Sequence, residues 1–293
     1  MFDTIEATQD ALAGQRYFAD AGLATSLFLS IRMEKALFLE GEPGVGKTEV
    51  ARVVAALLDT PLIRLQCYEG LDLSQAVYEW TYPRQLIEIQ ARSGRPGADG
   101  SSADIFTEEF LLRRPLLQAI DSSHVKSPVL LIDELDRADE EFESFLLELL
   151  ADFQITIPEL GTLRAGHRPL TFITSNRTRE IHDALKRRCI YHWIDYPSAE
   201  RELEIVIAKV PEAAPALARQ VVTFVQRLRS EDLYKRPGVA ETLDWARALT
   251  HLSVEHVDAD AVGRTLGLLL KYQDDVDRVR GPVLHNLLED PVR

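Results

Sequence analysis

An eight-residue run, Gly41-Glu42-Pro43-Gly44-Val45-Gly46-Lys47-Thr48, constrains what this 293-residue chain can fold into more than any other stretch. It fits the pattern GxxxxGK[ST], and its flanks supply the context that the pattern needs. Before it, Ala36–Glu40 is an apolar run that reads as a buried strand. After it, from Glu49 to Leu58, Val50, Val53, Val54 and Leu57 recur at helical spacing. In a strand-loop-helix unit of this kind the glycines let successive N–H groups turn inward, and the helix behind adds the positive end of its dipole. The result is a cradle for phosphate. Lys47 is then expected to reach the β- and γ-phosphates of ATP and Thr48 to hold Mg2+, with Gly41 to Gly46 and Glu49 completing the binding segment. A glycine-rich turn without a ligand is the plain alternative, and the flanking strand and helix weigh against it.

Further apolar runs at Val129–Ile132, Leu170–Thr174 and Ile190–Ile194 alternate with helical patterns, which predicts an α/β fold with a parallel sheet sandwiched by helices. The first of these runs straight into Asp133-Glu134, at the end of a strand where such sheets bind ligands. Asp133 is expected to hold Mg2+ through its hydration shell, and Glu134 to orient and polarise the attacking water. Two acids opening a loop are often merely solvated, and the upstream phosphate loop favours the catalytic reading. Asn176 follows the strand Leu170–Thr174 and Ser175, where an amide can meet the γ-phosphate or the water, although strand-end asparagines commonly serve turns. Arg187 and Arg188 precede the run at Cys189–Ile194. Such a basic cluster is usually a solvated face, yet arginine is also the residue that stabilises charge on a transferring phosphoryl group, often from a neighbouring chain. Between these motifs Phe142, Phe145, Leu146, Leu149 and Leu150 form a helical stripe, read as core, followed by a hairpin at about 154–165.

Beyond Pro197 the period becomes helical throughout. Leu203, Val206, Ile207 and Val210 form one pattern, Leu217 to Leu228 another, and two more lie around Val239–Leu252 and Ala261–Val276. Two domains are expected: 1–197, the α/β nucleotide-binding domain, and 198–293, a small all-α lid with Ser198 capping its first helix. The Gly- and Ser-rich stretch Arg92–Asp104 reads as a mobile loop. A balance of 47 acidic against 33 basic residues gives a net charge of −14, which disfavours nucleic acid as a partner. Two distant cysteines suggest neither disulfides nor a metal site, and with no signal-like start and no transmembrane run, a cytoplasmic location is expected.

The order of these motifs resembles the AAA+ superfamily across almost the whole chain. The hairpin before Asn176, together with Asp133-Glu134-Leu135-Asp136-Arg137, resembles the MoxR-type branch. Within that branch, Arg64 to Gly70, Ile132 to Arg137, Thr174 to Leu185 and Leu269 to Asp275 are similar to the CoxD-like proteins, which accompany carbon monoxide dehydrogenase and related molybdenum hydroxylases. The resemblance implies a homo-oligomer, a hexameric ring, that uses ATP as a chaperone in maturing a metalloenzyme client such as a molybdenum hydroxylase. It also implies a partner with a von Willebrand factor A domain, and an insertion at about 76–112 that projects toward the ring pore. One position departs from the pattern. The branch usually has an arginine, the second sensor, near the start of a lid helix, and Thr242 stands there instead, with Arg236 and Arg247 nearby. A nucleotide-gated switch or scaffold with slow turnover is the alternative to a motor.

Overall fold

The computed structural model describes residues 2–93 and 105–288, so most of the Gly- and Ser-rich stretch read as a loop lies outside the described residues. Packing divides the chain into two units. The first holds the residues up to Thr8, Gly22–Glu40 and Thr48–Trp193. Its centre is a five-stranded parallel sheet in the order β2-β5-β8-β1-β9, formed by β1 (Leu37–Gly41), β2 (Leu62–Gln66), β5 (Val129–Asp133), β8 (Leu170–Ser175) and β9 (Ile190–Ile194). Every residue of β1 and of β5 is buried; both are apolar up to their carboxyl ends, where Glu40 and Asp133 lie, as suits strands covered on both faces. The register sets Gln66 beside Asp133 and Glu40 beside Ser175. Polar residues therefore gather at the carboxyl ends of the strands.

Strand β2 was not evident from its sequence. It is short, lies at the sheet edge, and carries Arg64 and Gln66, so it lacks the continuous apolar signature of its neighbours. Helices α2 (Ala21–Met33) and α3 (Lys47–Leu58) fall almost wholly in this unit, while α1 (Ile5–Gly14) is divided between the two units. The segment after β2 contains α4 (Leu73–Ala76), α5 (Tyr82–Ser93) and a small antiparallel pair, β3 (Tyr78–Trp80) with β4 (Leu111–Arg113), followed by α6 (Pro115–Ala119). Helix α7 (Glu140–Asp152) begins where Asp139 accepts the N–H of Phe142 and ends with Phe153 in the left-handed conformation. It buries Phe142, Leu146 and Leu149 and leads into the hairpin of β6 (Gln154–Ile157) and β7 (Gly161–Arg164), as the pattern predicts. Helix α8 (Asp183–Lys186) precedes β9.

The second unit comprises Gln9–Ala21, Gly41–Lys47 and the chain from Ile194 onward. After β9 its described residues form helices only: α9 (Ala199–Lys209), α10 (Pro215–Ser230), α11 (Val239–His251), α12 (Ala259–Leu269), α13 (Gln273–Val279) and α14 (Pro282–Leu288). Ser198 accepts the N–H of Arg201 and caps α9. The periodic run expected as one helix from Ala261 to Val276 is two helices, broken over Leu270–Tyr272. Asp275 supplies a reason: its buried carboxylate accepts the N–H groups of Tyr234 and Lys235, at 2.8 and 3.2 Å, and so ties the start of α13 to the loop after α10.

Inside this unit the core around Val221, Phe224, Trp245 and Leu249 encloses a charged pair. Arg229 donates to both oxygens of the fully buried Glu202, at 2.6 and 2.7 Å, and to the carbonyl of Pro237 at 2.8 Å, while its guanidinium stacks on Tyr196. Thr242 donates to Glu202 at 2.7 Å. Thr242, at the position where the MoxR-type resemblance leads one to expect an arginine, is thus committed to the bundle interior. Removing one member of such a pair strands a buried charge. Arg229→Ala is expected to cost about 3–5 kcal/mol in urea denaturation, and the double replacement Glu202→Met with Arg229→Met to recover most of that loss.

Candidate nucleotide site

The loop Gly41–Lys47 takes its shape from its own backbone. Gly44 and Gly46 have φ values of +78° and +99°, which side chains other than hydrogen resist. The Lys47 ammonium donates to the carbonyls of Gly41 and Glu42, both at 2.7 Å, so that the chain curls around the charge. In the second unit the start of α11 packs on this loop. Ala240 N–H donates to the Gly44 carbonyl at 3.2 Å, and a Cβ placed on Gly238 would lie 2.6 Å from the carbonyl oxygen of Pro43. Only glycine fits there.

In the first unit the strand ends converge on Asp133, whose side chain is 3 % exposed. Its Oδ1 accepts the hydroxyl of Thr48 at 3.0 Å and that of Thr174 at 2.6 Å. Its Oδ2 accepts Nε and Nη2 of Arg64, at 3.0 and 2.5 Å. Glu134, next along, adopts φ 55° and ψ 50°, a left-handed conformation costly for a residue with a side chain. The Thr174 hydroxyl accepts its N–H at 2.9 Å and thereby braces the turn. Its carboxylate Oε2 accepts Gln66 Nε2 at 3.0 Å and Arg137 Nη1 at 3.1 Å. Arg64 Nη2 also donates to Gln66 Oε1, so one chain of contacts joins the partners of the two acids.

A second pair of buried carboxylates fixes the loop that carries Asn176. Asp136 accepts the N–H of Asn176 and of Thr178 and the hydroxyl of Thr178. Glu143 accepts the N–H of His182 at 2.8 Å and lies 2.5 Å from Arg179 Nη1. The Asn176 amide is half-buried and has no hydrogen-bond partner among the described residues. Glu40, buried at the end of β1, accepts the hydroxyls of Ser175 and Tyr191 and pairs with Lys186 at 3.6 Å. That contact anchors α8, at whose end Arg187 is exposed with its guanidinium unpaired among the described residues, whereas Arg188 donates to the carbonyl of Leu147. Neither arginine is joined to Thr48, Asp133 or Glu134 by a hydrogen bond or ion pair. Burial, aided by Glu40, pushes the Tyr191 phenol up to about 12; burial first, then the charges of Asp133, Asp136 and Glu134, pushes the Cys67 thiol to about 12 as well. Both stay protonated and serve as neutral packing beside the acids.

Of the residues the sequence singles out, Thr48, Asp133 and Glu134 lie together here, and Arg64, Gln66, Thr174 and Asp136, which it does not single out as site residues, join them or their loops. The available signal for Arg64 and Gln66 was their i, i+2 spacing on a short run after Pro61, which places both on one face of any strand. The donor set suits Mg2+, which uses one or two protein oxygens and keeps water and phosphate as its remaining ligands. Thr48 Oγ1 and the Asp133 carboxylate could supply those oxygens, and no cluster of three or more His, Cys, Asp or Glu that could hold a metal ion occurs among the described residues. No described helix is long and apolar enough to cross a membrane.

A glycine-rich loop between strand and helix, with a threonine hydroxyl on a strand-end aspartate and a glutamate beside it, defines a P-loop nucleoside triphosphatase of the AAA+ class. The chain belongs to the AAA domain family, dynein-related subfamily, which it matches over residues 36–189. That is a family of nucleotide-hydrolysing ATPases. An uncharacterised protein of Staphylococcus haemolyticus is 23 % identical over 228 residues, covering 75 % of this chain and 78 % of its own length. Another from Staphylococcus aureus strain USA300 is 24 % identical over 227 residues, with 75 % and 77 % covered. Among solved structures, a RuvB variant from Thermotoga maritima aligns with a TM-score of 0.50 at 18 % identity, over 93 % of this chain and 72 % of that one. A second RuvB variant of the same organism gives 0.50 at 17 % identity, over 92 % and 76 %. At these identities the likeness concerns the fold.

Proposed function

We propose that this chain binds ATP with Mg2+, hydrolyses it, and uses the turnover to remodel a protein client. The observation that carries the proposal is the meeting of Thr48 and Asp133 at the strand ends, with Glu134 held beside them in a strained turn. In this reading Gly41, Glu42, Pro43, Gly44, Val45, Gly46 and Lys47 cradle the phosphates, with Glu49 in the first turn of the helix behind them. Thr48 and Asp133 would hold Mg2+, which when bound would supply charge that draws electron density from the phosphates. Glu134 orients the water, Asn176 contacts the γ-phosphate or that water, and Arg187 and Arg188 stabilise the transferring group of a neighbouring subunit.

The assembly proposed is a hexameric homo-oligomer, cytoplasmic and without nucleic acid, divided at 197/198 into a nucleotide domain and a lid. Its MoxR-type, CoxD-like sequence stretches favour a chaperone of metalloenzyme maturation, with a molybdenum hydroxylase as client and a von Willebrand factor A domain protein as partner. For client contact the insertion and hairpin are the candidates. On α5, Tyr82, Leu86 and Ile87 are exposed, and beside them a cleft of about 640 Å3 is lined by Leu73, Trp80, Phe145, Ile155 and Pro158. Apolar surface of this kind, open to solvent, suits a protein ligand.

Lys47→Ala should lose most affinity for an ATP analogue in a fluorescence titration; unchanged binding would remove Lys47 from the site. Glu134→Gln should bind ATP and retain it, with turnover in a phosphate-release assay falling far below wild type, because an amide cannot polarise water. Arg187→Ala should bind ATP yet hydrolyse it up to ~10³-fold more slowly. Mixing it with Lys47→Ala under conditions of subunit exchange should restore ATPase activity, since some interfaces then combine an intact loop with an intact arginine. Mixtures no better than the sum of the two variants, with exchange proven, would exclude an arginine acting across subunits.

A further inference from the structure

We propose that Arg64 is a positioning residue that competes with a bound magnesium ion for the Asp133 carboxylate, so that loading of metal and nucleotide requires Arg64 to release its hold. The inference rests on the reading above, in which Asp133 serves Mg2+. Asp133 is buried, and a buried carboxylate needs partners for both oxygens. Hydroxyls of Thr48 and Thr174 satisfy Oδ1, whereas among the described residues Arg64 alone satisfies Oδ2, through two donors. That pairing already neutralises the acid. A divalent cation brought to the same carboxylate places like charge beside the guanidinium in a weakly screened site, so either the arginine withdraws or the metal binds less tightly.

Withdrawal is open to Arg64. Its side chain is 49 % exposed and springs from the edge strand β2, so its guanidinium can exchange Asp133 for water. The same movement frees Gln66 Oε1, while Gln66 Nε2 is bonded to Glu134. Metal arrival at one acid would thus be felt at the partner of the other. A purely structural ion pair predicts the reverse effect of mutation: loss of Arg64 would leave Asp133 unsupported and weaken the metal site.

The test uses the full chain and follows binding of a fluorescent ADP analogue by anisotropy at increasing Mg2+. Competition predicts that Arg64→Gln, which removes the charge, reaches half-saturation at about tenfold lower Mg2+ than wild type. Arg64→Lys, charged but without the planar guanidinium fork, should fall between them. The rise in melting temperature on adding Mg2+ and ADP should likewise be larger for Arg64→Gln. An unchanged or higher Mg2+ requirement overturns the proposal. If Arg64→Gln lacks the circular dichroism spectrum of the folded chain, Arg64→Lys carries the test alone, and no shift to lower Mg2+ overturns it. Failure of the wild type to bind the analogue at any Mg2+ concentration overturns the underlying ATP reading and this inference with it.

Discussion

A carboxylate almost wholly removed from water organises the site. Asp133 ends a strand whose every residue is buried, and the energetic cost of a charge in that position has to be offset by neighbours. Each neighbour comes from a different part of the chain: Thr48 from the helix behind the glycine-rich loop, Thr174 from β8, Arg64 from the edge strand. The requirement to satisfy one acid thus draws separate elements to one point. Thr174 does two things there, donating to Asp133 and accepting the N–H of Glu134, so the left-handed turn of Glu134 depends on the same hydroxyl that supports its neighbour.

The same device recurs around the site. Glu40, Asp136 and Glu143 are buried acids that accept hydrogen bonds from loops, and between them they hold the segment from Ser175 to α8. Charge-assisted bonds of this type are stronger than neutral ones and are costly to leave unmade. They fix a loop without giving it a hydrophobic core of its own. Asn176 and Arg187 lie at opposite ends of that segment, each with its polar group left uncommitted among the described residues.

Much of this was legible from residue order. Buried parallel strands announce themselves as apolar runs, which is why β1, β5, β8 and β9 could be read, and the glycine-rich loop specifies its own surroundings. Helix α7 and its hairpin followed from a change of period. What escaped detection was contact made at a distance. Strand β2 hides because Arg64 and Gln66 serve two acids instead of a core, and no local pattern shows that. The split between α12 and α13 depends on Asp275 reaching Tyr234 and Lys235, some forty positions away. Sequence marks Thr242 as a departure but does not show what it does, since its role is set by Glu202 and Arg229.

The close fit of Gly238 on Pro43 and Gly44 shows that order along the chain and order in space differ here. A segment near the amino end, Gly41–Lys47, packs with residues that follow Ile194. A fragment ended after β9 would retain every residue of the glycine-rich run and all five strands of the parallel sheet, yet would lose the backbone that packs on that run. Residues nearly two hundred positions downstream therefore lie against the glycine-rich run, and a side chain added at either Gly238 or Gly44 would push the two segments apart whatever stood at the other.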